Sequence, residues 1–179
     1  MKLIVREMQL NDVEKVVDYF VTASVEFLKS MGADKAKLPK RAEWIRQLEA
    51  ELTKTYQLNE FYYLIWLIDN EPVGHSNINN IAFGKTAKMH LHLWEGAKRR
   101  SGLGLDFLKL VIPQFFKKFE LEKLVCEPKA NNPAPNKTLK KLGFELVRTY
   151  ETTPGWINFH QEVNRYELTR EQLEGFRLA

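Results

Sequence analysis

The run FYYLIWLI at positions 61–68 sets the strongest constraint on the fold. It is continuously apolar or aromatic, with no polar face. It is too short for a good helix, and its aromatic and β-branched content suits a pleated segment. It therefore reads as a buried strand. A chain of 179 residues with 44% hydrophobic and 12% aromatic residues has enough apolar material to build a core around it.

The other segments arrange themselves about that strand. LIVRE (3–7) reads as a short strand. Asn11 or Asp12 caps a helix on which Val13, Val16, Val17, Phe20, Val21, Val25, Phe27 and Leu28 recur at about helical spacing, and Gly32 stops it. A second helix, roughly 40–55, carries Trp44, Ile45, Leu48 and Leu52 on one side. VGHSNINNIAF (73–83) is a rather polar strand. KMHLHLW (88–94) alternates strictly, with His90 and His92 on one face and Leu91 and Leu93 on the other.

A helix to about residue 118 follows, with Leu108, Val111 or Ile112, Phe115 and Phe119 as its core stripe. Pro113 inside it predicts a kink or an early stop. KLVCEP (123–128) is a strand. NPAPNKTLKKLGF is a short helix: Asn132 caps it, Pro133 and Pro135 fall in its first turn, Gly143 supplies a left-handed end and Phe144 folds back onto it. Strands at about 144–152 and 161–168 close the chain. The order β-α-α-β-β-β-α-β-α-β-β gives an α/β (α+β) class in a single domain over 1–179, without repeats or an interdomain linker.

The net charge of +4 and a pI near 9.1 favour an anionic ligand without requiring one. The basic residues gather only loosely, around 29–41 and 98–100, so a nucleic-acid partner is not expected. The one cysteine, Cys126, rules out an intrachain disulfide and reads as a small buried strand residue. The N-terminal stretch has no long apolar region and no segment approaches a membrane span. A cytoplasmic protein with no membrane partner is expected.

KRRSGLGLDFLKL (98–110) lies between the alternating strand and the helix. First-turn N–H groups lack partners within their helix, and with the helix dipole they form a ready anion site. Gly102 and Gly104 remove two Cβ atoms from that approach, and Arg99 and Arg100 add positive charge. A plain glycine turn is the alternative. The Gly-Lys-Ser/Thr of a P-loop is missing, and position 107, where a dinucleotide fingerprint has its third glycine, is Phe107.

Arg99-x-x-Gly102-x-Gly104 after a strand resembles the acetyl-CoA pyrophosphate loop of the GNAT superfamily of N-acetyltransferases. NNPAPNKTLKKLGFE is similar to that superfamily's second motif, in which an Asn opens a short helix ending in Leu-Gly-Phe. The Asn132 to Gly143 spacing is most similar to the ribosomal-protein N-terminal, or Rim-type, branch.

The resemblance implies a mixed, mostly antiparallel sheet of about seven strands flanked by helices and splayed between the fourth and fifth. It implies acetyl-CoA as acyl donor, with pantetheine on the backbone of Leu93 and Trp94. The pyrophosphate would rest on N–H groups of Arg99, Arg100, Ser101, Gly102, Leu103 and Gly104, and Asn132 would bond the pantetheine side. The implied activity is acetyl transfer to a primary amine of a small molecule or a protein N-terminus, by direct attack in a ternary complex. A non-catalytic acyl-CoA-binding domain is the alternative. The oligomeric state stays open, a homodimer included.

Acyl transfer to an amine needs a proton acceptor. An imidazole titrates in the right range, so His90 and His92 are the candidate bases, with Glu95 next. The stretch where the family often has a Glu base reads Lys88, Met89, His90, Leu91. The family's Tyr acid position holds Leu139, and the Ser position of Rim-type members holds Pro135, so Tyr150 or water takes the acid role. His75, Asn77 and Asn79 form the polar face of the preceding strand. Convergence of His75 with His90 and His92 would make a metal conceivable. A hydrogen-bonded acceptor pocket without metal is the expectation. Trp44, Trp66 and residues 61–63 read as core. Trp156 lies in a loop near the expected acceptor end, where it packs the loop down or touches substrate.

Overall fold

The apolar run forms strand β2 (Tyr62–Ile68), flanked by antiparallel β1 (Leu3–Glu7) and β3 (Glu71–Ala82). Period-2 alternation sends its side chains into two separate cores. Leu64 and Trp66 enter one, built under helix α4 (Leu103–Lys118). Tyr63, Ile65 and Leu67 enter the other, built with α1 (Val13–Val21), α2 (Val25–Ser30) and α3 (Arg41–Glu51). The computed structural model describes residues 1–94 and 102–177.

The remaining strands are β4 (Thr86–Leu93), β5 (Lys123–Cys126), β6 (Glu145–Thr152) and β7 (Gln161–Thr169). Among the described residues, seven strands make one sheet in the order β1-β2-β3-β4-β5-β7-β6. β4 and β5 run parallel and every other pair is antiparallel. A parallel neighbour needs a crossover, and α4 supplies it. Its Phe107 stacks on Trp66 with ring centroids 4.8 Å apart, while Leu108, Val111, Phe115 and Phe119 are fully buried. Helix α5 (Pro133–Lys141) follows β5, and α6 (Arg170–Arg177) closes the described chain.

Four local expectations are corrected. The first helical stretch is two helices, because Ser24 leaves helical geometry and its hydroxyl accepts the Phe27 N–H at 3.1 Å, capping α2. α3 ends at Glu51, whose carboxylate accepts the N–H groups of Glu60 and Phe61 and turns the chain toward β2. Pro113 brings no early stop: it removes one backbone donor, and burial of Val111, Ile112, Phe115 and Phe116 carries α4 on to Lys118. The terminal α6 has no counterpart in the sequence reading. Gly143 does adopt a left-handed φ of 81°, and Phe144 is buried with its N–H on the Leu139 carbonyl.

Candidate active site in the sheet opening

The parallel pair is short. Thr86, Ala87 and Lys88 face Lys123, Leu124 and Val125, and the pairing goes no further. β4 continues to Leu93, held by β3, whereas β5 ends at Cys126 and leads to Pro128, which lacks an N–H for a ladder. The strands part like a V, with its apex at Lys88 and Val125. Gly74 of β3 secures the β4 side: a Cβ there would stand 2.5 Å from the His92 carbonyl oxygen.

Trp94 donates its N–H to Val73 of β3. By alternation, the N–H and C=O groups of Leu91, the first such residue beyond the last β5 pairing, aim into the opening. The opening leads into a cavity of about 610 Å³.

On the face of the second core, β3 and β4 place His75 opposite His92, Asn77 opposite His90 and Asn79 opposite Lys88. The two histidines expected on one face are there. His90 Nε2 lies 3.2 Å from Asn79 Oδ1. Burial, then the Lys88 charge, lowers its pKa to about 4, with Glu127 pulling the other way. His92 packs between rings, 4.9 Å from both Phe20 and His75.

His75 is fully buried, and its Nδ1 accepts the Trp94 indole N–H at 2.8 Å. Burial, helped by His90, lowers its pKa to about 3. Among the described residues, no group of three or more His, Cys, Asp or Glu side chains is arranged to hold a metal ion.

Glu127, just past β5, was not anticipated. Its side chain is only 2% exposed, and Lys88 Nζ meets it at 2.6 Å, Arg165 Nη1 at 2.9 Å and the Tyr150 hydroxyl closer still. Burial pushes the carboxyl up, but Lys88, Tyr150 and Arg165 outweigh it and hold Glu127 below the usual carboxylate range. Lys88 Nζ also donates to the Pro154 carbonyl at 2.9 Å, tying the apex to the β6–β7 loop. Tyr150 is thus bound to a carboxylate. The separations in sequence, 39, 38 and 23 residues, hide this cluster from any local reading.

The opposite side of the cavity is lined by Gly102, Gly104 and Leu105 at the start of α4, by Asn132, and by Lys137 and Lys141 of α5. Gly102 has φ 84°, and a Cβ at Gly102 or Gly104 would meet nothing within 4 Å. The start of a 16-residue helix, with two glycines that leave room for a close approach and two lysines lining the same cavity, suits a phosphate group. Leu103 is buried in the core, leaving only its backbone for such a contact.

Asn132 stands at the N-cap of α5, but its side chain makes no capping bond. Its carbonyl instead accepts Asn136 Nδ2 at 2.6 Å, and Asn164 of β7 holds Asn136 Oδ1. Leu139 is buried core, and Pro135 lines the cavity. Cys126 is buried, which raises its thiol pKa. Glu95, Arg99, Arg100 and Ser101 lie outside the described residues.

Residues 2–145 match the family model for the acetyltransferase (GNAT) domain. No curated protein matches the chain by sequence. Among solved structures, RimL, a ribosomal alpha-N-protein acetyltransferase in complex with coenzyme A, superposes with a TM-score of 0.77 at 16% identity, over 96% of each chain. The spermidine N-acetyltransferase of Vibrio cholerae, in complex with CoA and spermine, gives 0.78 at 12% identity, over 96% of this chain and 98% of that one. The aminoglycoside acetyltransferase AAC(6')-Ib with coenzyme A and kanamycin gives 0.74 at 17%, over 98% and 99%.

Proposed function

We propose that this chain, which belongs to the acetyltransferase (GNAT) domain family, moves the acetyl group of acetyl-CoA to a primary amine by direct attack in a ternary complex. The observation that carries the reading is the parting of β4 from β5 after Lys88 and Val125. It leaves the inward-facing groups of Leu91 without a β5 partner, and the amides of a pantetheine arm satisfy such groups as a strand would. Leu91 and Leu93 take the arm on the β4 side. The α4 start at Gly102, Leu103 and Gly104 takes the pyrophosphate, together with Arg99, Arg100 and Ser101. Asn132, Lys137 and Lys141 close over the cofactor from α5. Trp94 acts on the strand, through Val73 and His75, more than on the cofactor.

In this arrangement the thioester carbon sits at the apex. The amine enters from the His90 side, and its nitrogen forms the new C–N bond. The carbonyl oxygen becomes an oxyanion that meets a β4 N–H, and CoA leaves as a thiolate that takes a proton.

His90 is the group placed to pass the amine proton on. With Asn79 accepting from Nε2–H, the ring presents Nδ1 as its acceptor. A pKa of about 4 makes His90 a relay to water rather than a store for the proton. His92 shapes the same face, and Glu95 is the remaining candidate base. The single cysteine is buried with its thiol pKa raised, which disfavours an acetyl-enzyme and supports direct attack. One domain in the cytoplasm, where acetyl-CoA and amines are both present, suits the reading.

The test is a melting-temperature shift with acetyl-CoA, followed by thiol release when a primary amine is added. A shift without thiol release on any amine favours the acyl-CoA-binding alternative; no shift removes both.

A further inference from the structure

We propose that the acceptor is a primary amine carried on an uncharged apolar body about the size of an aryl group, and that the acceptor half of the cavity discriminates against polycations. This names the acceptor class for the transfer reading above and rests on it.

The first observation is the wall. Across the sheet from His90, the register runs through Asn77 to Tyr63. Two strand spacings place Tyr63 roughly 10 Å from His90, and the cavity runs on past it to a far wall. That wall is aromatic: Trp44 lies 5.1 Å from Phe20 and 5.8 Å from Trp156, centroid to centroid, and Phe61 stands 6.5 Å from Trp156. All four line the cavity. The contacts are edge-on or tilted, the geometry in which a further ring joins such a cluster. Trp156 is 46% exposed, so an apolar face remains open at the mouth.

The second observation is charge. Among the described residues lining the cavity, Glu127 is the only carboxylate. Its Oε2 is taken by Lys88, and its Oε1 by Arg165 and Tyr150. Arg165 and Lys123 also bind Glu167, so the cluster holds three cations, Lys88, Arg165 and Lys123, against two carboxylates, Glu127 and Glu167. A second ammonium on the acceptor would lose water there and find no free counter-charge among the described residues that line the cavity. Aromatic faces alone hold a cation weakly when it keeps part of its hydration.

The experiment measures kcat/KM by thiol release with acetyl-CoA and four amines: 2-phenylethylamine, ethylamine, spermidine and kanamycin. The expected result is 2-phenylethylamine ahead of ethylamine and spermidine by roughly 100-fold, the factor that burying an aryl-sized apolar group provides. Trp156→Ala should narrow the preference for 2-phenylethylamine over ethylamine by about tenfold. The melting temperature and acetyl-CoA affinity of the variant, measured alongside, separate a loss of fold from a loss of preference. Spermidine or kanamycin turned over as well as or better than 2-phenylethylamine would overturn the proposal while leaving the transfer reading intact. An unchanged preference in Trp156→Ala would also count against it. No thiol release with any amine, acetyl-CoA being bound, would fail the transfer reading itself and this class with it.

Discussion

His75→Gln should make the protein markedly less sensitive to mild acid. His75 is fully buried, with a folded pKa of about 3, and His90 beside it has one of about 4. Both lie below the value near 6.5 that an unfolded chain restores. As pH falls, the unfolded state takes up protons that the folded state refuses. The stability each neutral ring contributes is complete above the unfolded pKa and drains away as pH drops toward the folded one. Between pH 7.5 and pH 5 each histidine should cost about 2 kcal/mol, or about 4 kcal/mol together. That is a large share of a typical total of about 5–15 kcal/mol.

Buried carboxylates such as Glu127 weaken the fold in the same direction but mostly at lower pH, because the unfolded carboxyl titrates near pH 4. Glutamine keeps an acceptor for the Trp94 indole, which the wild-type ring meets at 2.8 Å. Urea denaturation followed by tryptophan fluorescence at pH 7.5 and pH 5 measures the difference. The variant should lose about 2 kcal/mol less than wild type over that interval. Equal losses in the two proteins would refute the claim that His75 is held neutral by burial.

Further outcomes follow from the same geometry. Gly102→Glu should abolish the acetyl-CoA melting shift, because it puts bulk and negative charge at the start of α4 in a left-handed position, φ 84°; calorimetric titration with acetyl-CoA checks it. Gly74→Ala should destabilise by about 1–3 kcal/mol, since its Cβ would press on the His92 carbonyl at 2.5 Å, and urea midpoints read the loss. Glu127→Gln should cost about 3 kcal/mol by leaving Lys88 and Arg165 without their shared counter-charge, visible as a lower melting temperature. Asn132→Ala should change stability by less than about 0.5 kcal/mol, because no capping bond is lost, so any fall in acetyl-CoA affinity reports on the cofactor directly.

Period and punctuation made much of this fold legible in the chain. FYYLIWLI declared a strand buried on both faces, and the alternation in KMHLHLW set His90 and His92 on one side before any neighbour was known. The glycine pair marked the start of α4, and Gly143 marked the end of α5. What stayed hidden depends on register between distant segments. Glu127 becomes part of the site only because β5 pairs with β4 so that Val125 faces Lys88. Trp94 and His75 meet through the β3–β4 register, 19 residues apart. The Ser24 break was a local signal outweighed by the apolar spacing on either side, and Asn132 kept the N-cap position without the bond that usually goes with it.

The central claim is that the acetyl group passes straight from thioester to amine in the opening between β4 and β5. Initial rates with acetyl-CoA and a turned-over primary amine varied together test it most directly. Double-reciprocal lines should intersect, and the enzyme's mass should be unchanged after incubation with acetyl-CoA alone. Parallel lines, with a gain of one acetyl group on the enzyme in the absence of amine, would contradict it.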